Sequence, residues 1–259
     1  MARDFTLKIY RGLLESSIDG GYRLTSFEDY LENKNTDSKI FILRHDVDKL
    51  PGHSLLTARL QHELGVKGTY YFRIVKESFH PAVIEKIAAL GHEIGYHYED
   101  VALQRGDLEK AYEKFREHLS WIRKYYPVKT VCMHGSPLSK WDNRLLWKKY
   151  NYRDLGIIGE PYLDVDFNKV LYITDTGRSW NKSEVSVRDK VNTSFRFSFA
   201  STKDIINHFR KGLLPDHIMQ NIHPQRWTND ILPWTKELLF QNLKNVLKSI
   251  VVKEAKSSF

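Results

Sequence analysis

From residue 40 onward the chain repeats one arrangement: a short run rich in branched and aromatic residues, a polar turn, then a stretch of helical period. "IFILRH" at 40–45, "KGTYYFRIV" at 67–75, "HEIGYH" at 92–97 and "KTVCMH" at 129–134 read as strands. Helices follow them near 54–64, 81–90, 107–126 and 142–150. Gly65 and Gly91 close two of these helices and Pro81 opens one, the usual asymmetry of helix ends. In "DLEKAYEKFREHLSWIRKYYP", Leu108, Ala111, Phe115, Leu119 and Ile122 form one apolar stripe, read as core packing, and Pro127 stops the helix. Strands that alternate with helices pair in parallel, because a parallel pair needs a crossover long enough to hold a helix. The pattern predicts an α/β fold of parallel βα units around a barrel or open sheet.

Residues 1–39 form a helical preface, with "SFEDYLENK" a short helix capped by Ser26. "GIIG", "VLYIT", "FRFSF" and "IMQNIH" supply further strands, and a final amphipathic helix spans 234–252. We find no internal repeat or linker, and 259 residues with 41% apolar content suffice for one large core. The expectation is a single domain over 1–259.

Cys132 is the only cysteine, so no internal disulfide forms, and its place in "KTVCMHG" suits a buried thiol. No apolar run is long enough to cross a bilayer, and the N-terminus lacks the apolar core of a signal peptide. The expected location is the cytoplasm. Forty Lys and Arg against 32 Asp and Glu leave a net charge of +8. Such a balance suits nucleic acid, an anionic membrane face or a phosphorylated substrate. The charge is spread over helix faces, however, and no nucleic-acid module motif accompanies it.

In parallel βα folds the working residues collect at the C-terminal ends of the strands. Here four strands end in polar clusters: "RHDVD", "GYHYED", "MHGSP" and "NIHPQRW". Asp46 and Asp48 point to one side of their strand, roughly 6.6 Å apart, while His45 and Val47 point to the other. Buried carboxylates are costly unless paired or bound to a metal. The aspartates therefore either cap a helix ahead of Pro51 or converge on a site with His97, His134 and His223. The remaining histidines fall on predicted helices or at strand starts and are read as surface or packing residues.

"HDVD", "TYYF", "GHEIGYH" and "NIHP", in that order over residues 40–227, resemble the polysaccharide deacetylase family, also called the NodB-homology or carbohydrate esterase family 4 fold. The resemblance implies an irregular, incomplete (β/α) barrel holding a divalent metal, usually zinc, with residues 1–39 as a helical extension. It implies Asp46 as general base, Asp48 and His97 as metal ligands, and His223 as general acid. In the family's second motif a further histidine follows the first by four residues; that position here is Val101, which cannot ligate. His134 ends the neighbouring strand and is the preferred third ligand, with Glu99 and Asp100 as alternatives. A histidine at position 101 would then be expected to strengthen metal binding if the local turn matches the family's.

"YITDTGRSW" brings Asp175, Arg178 and Trp180 together, a carboxylate, a bidentate donor and a flat apolar face able to grip a sugar or sugar phosphate. Its alternative is a strand–turn with a surface ion pair. Trp227 either walls the pocket or packs in the core. The resemblance implies a metal-dependent hydrolase that removes an acetyl group from an N-acetylated, or O-acetylated, sugar. A cytoplasmic location points to a nucleotide-linked or lipid-linked glycan precursor, met at or near a membrane surface. Two alternatives stand beside it: a glycan-binding module that has lost its metal, and a metal hydrolase of a different bond.

Overall fold

The computed structural model describes residues 3–33, 38–136, 139–180 and 191–242. Seven parallel strands form one sheet: β1 (Arg23–Thr25), β2 (Ile40–Val47), β3 (Thr69–Phe72), β4 (Glu93–Tyr98), β5 (Val131–Met133), β6 (Leu171–Thr174) and β7 (His217–Ile222). Their order is β5-β4-β3-β2-β7-β6, and the path does not close, so the sheet is an incomplete barrel of the expected α/β class. β1 was not expected in the helical preface. It pairs with the first half of β2, through Arg23↔Ile40 to Thr25↔Ile42, and β3 takes the second half, from Arg44↔Thr69 to Val47↔Phe72.

All eight residues of β2 are buried, as a central parallel strand requires. Alternation divides them between two cores. Ile40 and Ile42 face inward with Tyr71, Cys132 and Met219. Phe41 and Leu43 face outward, under α1 (Leu7–Asp19) and α6 (Thr202–Arg210). A second outer cluster joins Tyr70, Phe72, Ile94 and Tyr96 to α4 (Pro81–Ala89) and α5 (Leu108–Ile122). In α5 the predicted stripe is the packed face: Ala111, Phe115, Leu119 and Ile122 are buried and Leu108 partly so.

The helix after β2, α3, spans Pro51–Glu63 and so begins before residue 54. Proline at the first helical position is already set for the helix, which explains the early start. α2 (Phe27–Glu32) begins as expected, with the Ser26 hydroxyl accepting from the Asp29 amide. Two predicted strands did not form as such. "GIIG" contributes one bridge, Thr130↔Gly159, and "FRFSF" runs as irregular chain whose Phe199 packs into the outer core. The last helix is described from 231 to 242; the rest of the predicted 234–252 helix lies outside the described residues. No helix among the described residues is long and apolar enough to cross a membrane.

One glycine is demanded by the interior. A Cβ on Gly95 of β4 would stand 2.2 Å from the Tyr71 ring, which crosses the strand to bond Thr130.

Candidate metal centre

The strand ends bring Asp46, Asp48, His97, His134 and His223 to one edge of the sheet. β2 carries Asp46 and Asp48 follows its end, β4 ends just past His97, His134 follows β5, and His223 follows β7. One ligand atom each from Asp48, His97 and His134 lie mutually within 4.8 Å. Asp48 Oδ1 is 3.6 Å from His97 Nε2 and 3.6 Å from His134 Nε2. These gaps are too long for hydrogen bonds. They are close to the separation of roughly 3.3 Å expected for two ligands placed tetrahedrally about one zinc ion.

The donor set fits a cation. Asp48 Oδ1 is buried and has no hydrogen-bond partner, although burial of a lone carboxylate oxygen is costly. His97 uses Nδ1 to donate to the Cys132 carbonyl at 2.9 Å, and His134 uses Nδ1 to donate to Glu99 at 2.8 Å. Both rings therefore present Nε2 to Asp48, the arrangement in which imidazoles bind metals. Burial raises the Asp48 carboxyl, but the surrounding imidazoles outweigh it and hold it well below the usual carboxylate range. Asp46, His97 and Cys132 form a second close group. Arg44 already occupies both Asp46 oxygens there, and its fixed charge opposes a cation.

Asp46 lies beside the cluster, with Oδ2 3.7 Å from His97 Nε2. Arg44 grips it through Nε at 2.9 Å and Nη2 at 2.7 Å, and Asn221 donates to Oδ2 at 3.0 Å. Burial alone would raise this carboxyl, yet Arg44 and the imidazoles of His97 and His223 bring it down to about 2. Across the cluster, His223 Nε2 is 3.8 Å from Asp48 Oδ2. Its Nδ1 bonds Asp175 at 2.6 Å. Burial and Arg226 would lower the His223 pKa, but Asp175 and Asp48 raise it.

The residues proposed for sugar contact stand elsewhere. Asp175 is fully buried behind His223, where it also takes bonds from Arg226 and the Trp227 indole. Trp227 has no exposed surface and packs against Phe5, Tyr10 and Trp180, so it belongs to the core and not to a pocket wall. Trp180 donates to Thr202 within the same core. Arg178 donates to the Trp234 carbonyl and lies 4.5 Å over that ring. A buried ion pair and aromatic packing thus replace the exposed sugar grip. Val101 is also inside, in the outer core with Phe115 and Tyr98.

Three supporting residues went unassigned in the sequence. Arg44 was legible, because it sits two residues before Asp46 on the same face of a strand. Asn221 and Gln225, which donates to Asp48 Oδ2 at 3.3 Å, carry no local signal. Gln225 is reached only through the turn after β7.

No family model and no curated protein matches the chain. Among solved structures it is similar to a deacetylase of Streptococcus pyogenes, PplD in complex with acetate, at 14% identity and TM-score 0.46, over 59% of this chain and 73% of that one. It is also similar to a mutant of the peptidoglycan deacetylase PdaC of Bacillus subtilis, at 14% identity and TM-score 0.39, over 86% and 98%. A third is a BA3943 mutant, described as a CE4 family pseudoenzyme with restored activity, at 12% identity and TM-score 0.41, over 82% and 64%.

Proposed function

We propose that the protein is a metal-dependent hydrolase that releases acetate from an acetylated sugar. One observation carries the reading: a carboxylate held ionised by Arg44 and an imidazole whose pKa is raised beside Asp175 face each other across a three-residue ligand set, and each is clamped by its own buried partner. Asp48, His97 and His134 would hold a divalent ion, with zinc the best match to two nitrogens, one oxygen and open space. Such an ion polarises the acetyl carbonyl and brings the pKa of a water towards ~7.

The chain's own residues do the rest. Asp46, ionised at any physiological pH, takes the proton of the water that attacks the carbonyl carbon. Arg44 fixes the angle of that carboxylate. His223 gives its proton to the departing nitrogen or oxygen, so that the C–N or C–O bond breaks with a neutral leaving group. Asp175 holds the ring with Nε2 turned to the cluster. The products are acetate and a free amine or hydroxyl. A positive balance of +8 suits a sugar on an anionic carrier, a nucleotide or a lipid phosphate. A sugar-binding module without metal would leave Asp48 Oδ1 unexplained.

Acetate release from acetylated nucleotide sugars and acetylated oligosaccharides, with zinc supplied and then removed by chelation, tests the reading. Zinc-dependent acetate release from either class is expected. Zinc binding without acetate from any of them would overturn the proposed reaction.

A further inference from the structure

Glu99 lies two residues beyond His97, within reach of the cluster, yet it does not turn towards it. Its Oε1 receives Arg73 Nε at 2.8 Å, and its Oε2 takes the His134 Nδ1 at 2.8 Å. With both oxygens engaged, Glu99 stands outside the group of ligand atoms that Asp48, His97 and His134 form. Arg73 also donates to the Asp48 backbone carbonyl at 3.3 Å. It therefore joins the end of β2 to Glu99.

The two histidines of the cluster are supported unequally. His97 is 2% exposed and bonds a neutral carbonyl within the sheet. His134 lies past the end of β5, its side chain is 15% exposed, and it bonds a carboxylate. A ligand on irregular chain at the rim has more freedom to lose on binding. A charged partner restricts the ring, fixes Nδ1 as the protonated nitrogen and makes Nε2 a stronger donor.

We infer that Glu99 is a positioning residue which, anchored by Arg73, makes His134 a metal ligand and so supplies the third donor that Val101 cannot. The inference rests on the metal reading above. It also accounts for the rim geometry: Val101 is packed into the core, and Glu99 in the same segment recruits an imidazole from the next strand. The carboxylate, the imidazole it bonds and the Asp48 oxygen facing that ring's Nε2 are all already in place.

Zinc affinity, read by competition with a chromophoric chelator, tests this without any turnover. Glu99→Gln keeps the shape and removes the charge, and should weaken zinc binding about 10–100-fold with an unchanged circular dichroism spectrum. Glu99→Asp, which keeps the charge on a shorter arm, should recover part of that loss. In a His134→Ala background the Glu99→Gln change should alter affinity less than about twofold, because its effect passes through His134. Equal losses from Glu99→Gln in the two backgrounds would overturn the positioning role while leaving the metal site standing. A parent protein that binds no zinc would overturn both readings.

Discussion

Asp46 and Glu93 are equally buried, each 3% exposed, at opposite ends of the sheet, and they have been driven to opposite charge states. Asp46, near the C-terminal end of β2, meets Arg44 and falls to about 2. Glu93, at the start of β4, is raised by burial to about 7, and what it meets are neutral donors: the Glu28 amide and the hydroxyls of Thr69 and Thr130. Burial depth is the same, so the partner decides. A guanidinium with two bonds keeps a carboxylate ionised and usable, whereas hydroxyls only partly offset its desolvation. The C-terminal end keeps its carboxylate charged, as the proposed chemistry needs, and the other end buries a carboxylate among neutral donors within the barrel. Substitutions at the two ends should accordingly fail in different measurements.

The largest effect belongs to the ligand set. Asp48→Ala and His97→Ala should each lose bound zinc and acetate release together, by more than the ~10–100-fold that an outer partner costs. Their melting temperatures without metal should stay near that of the metal-free parent. If both variants kept their zinc, the C-terminal end would not be a metal centre and the contrast with Glu93 would lose its meaning.

Asp46→Asn comes next. It removes the proton acceptor and leaves Asp48, His97 and His134 in place, so zinc content should hold while turnover falls about 10²–10⁴-fold. Parallel metal analysis and steady-state kinetics separate the two roles. Loss of zinc with no separate loss of turnover would mean that the aspartates exchange functions.

Val101→His probes whether position 101 can supply a ligand. The sequence alone allowed that it would strengthen binding. In the structure Val101 is fully buried among Phe115, Tyr98 and Leu146, so an imidazole there is an unpaired polar group in an apolar core. A loss of about 3 kcal/mol of stability is expected, with zinc affinity unchanged. A thermal melt beside a zinc titration checks both halves, and tighter zinc binding would show that position 101 can reach the ion after all.

These contrasts also mark what could be read from the residues. Strand period placed Asp46 and Asp48 on one face, and the parallel pairing expected of βα units put His97, His134 and His223 at the same edge. Both depend only on local alternation and a topological rule. Asp175, Arg178, Trp180 and Trp227 escaped, because their residue types fit a sugar grip as well as a core. What separated the two was the packing of α1, the Thr202–Arg210 helix and the turn after β7, which are far apart in sequence. Phe195, Phe197 and Phe199 misled similarly: their alternation suits a strand, yet among the described residues no strand pairs with them. β1 was missed for the opposite reason. Three residues carry too little pattern, and pairing with β2 creates the strand.

The smallest expected effect lies with Glu93, and it is a dependence on pH. The folded protein holds the Glu93 proton up to about 7, whereas the ordinary value is 4.5, the burial of the charge being the main cause. Between those values the folded chain keeps a proton that the unfolded chain has released. Stability from this group is therefore complete below about 4.5, falls as pH rises and is gone above about 7. The span corresponds to on the order of 3 kcal/mol. Glu93→Gln keeps a neutral group in the same place at every pH and removes the dependence. Other carboxylates contribute to both chains, so the informative quantity is the difference between them. Denaturant midpoints of parent and variant should nearly coincide at pH 4.5. They should separate in the variant's favour by pH 8, with zinc affinity equal throughout. A constant offset across that range would mean that Glu93 is ionised in the folded state, and that Thr69, Thr130 and the Glu28 amide stabilise a charge as well as Arg44 does at the other end of the sheet.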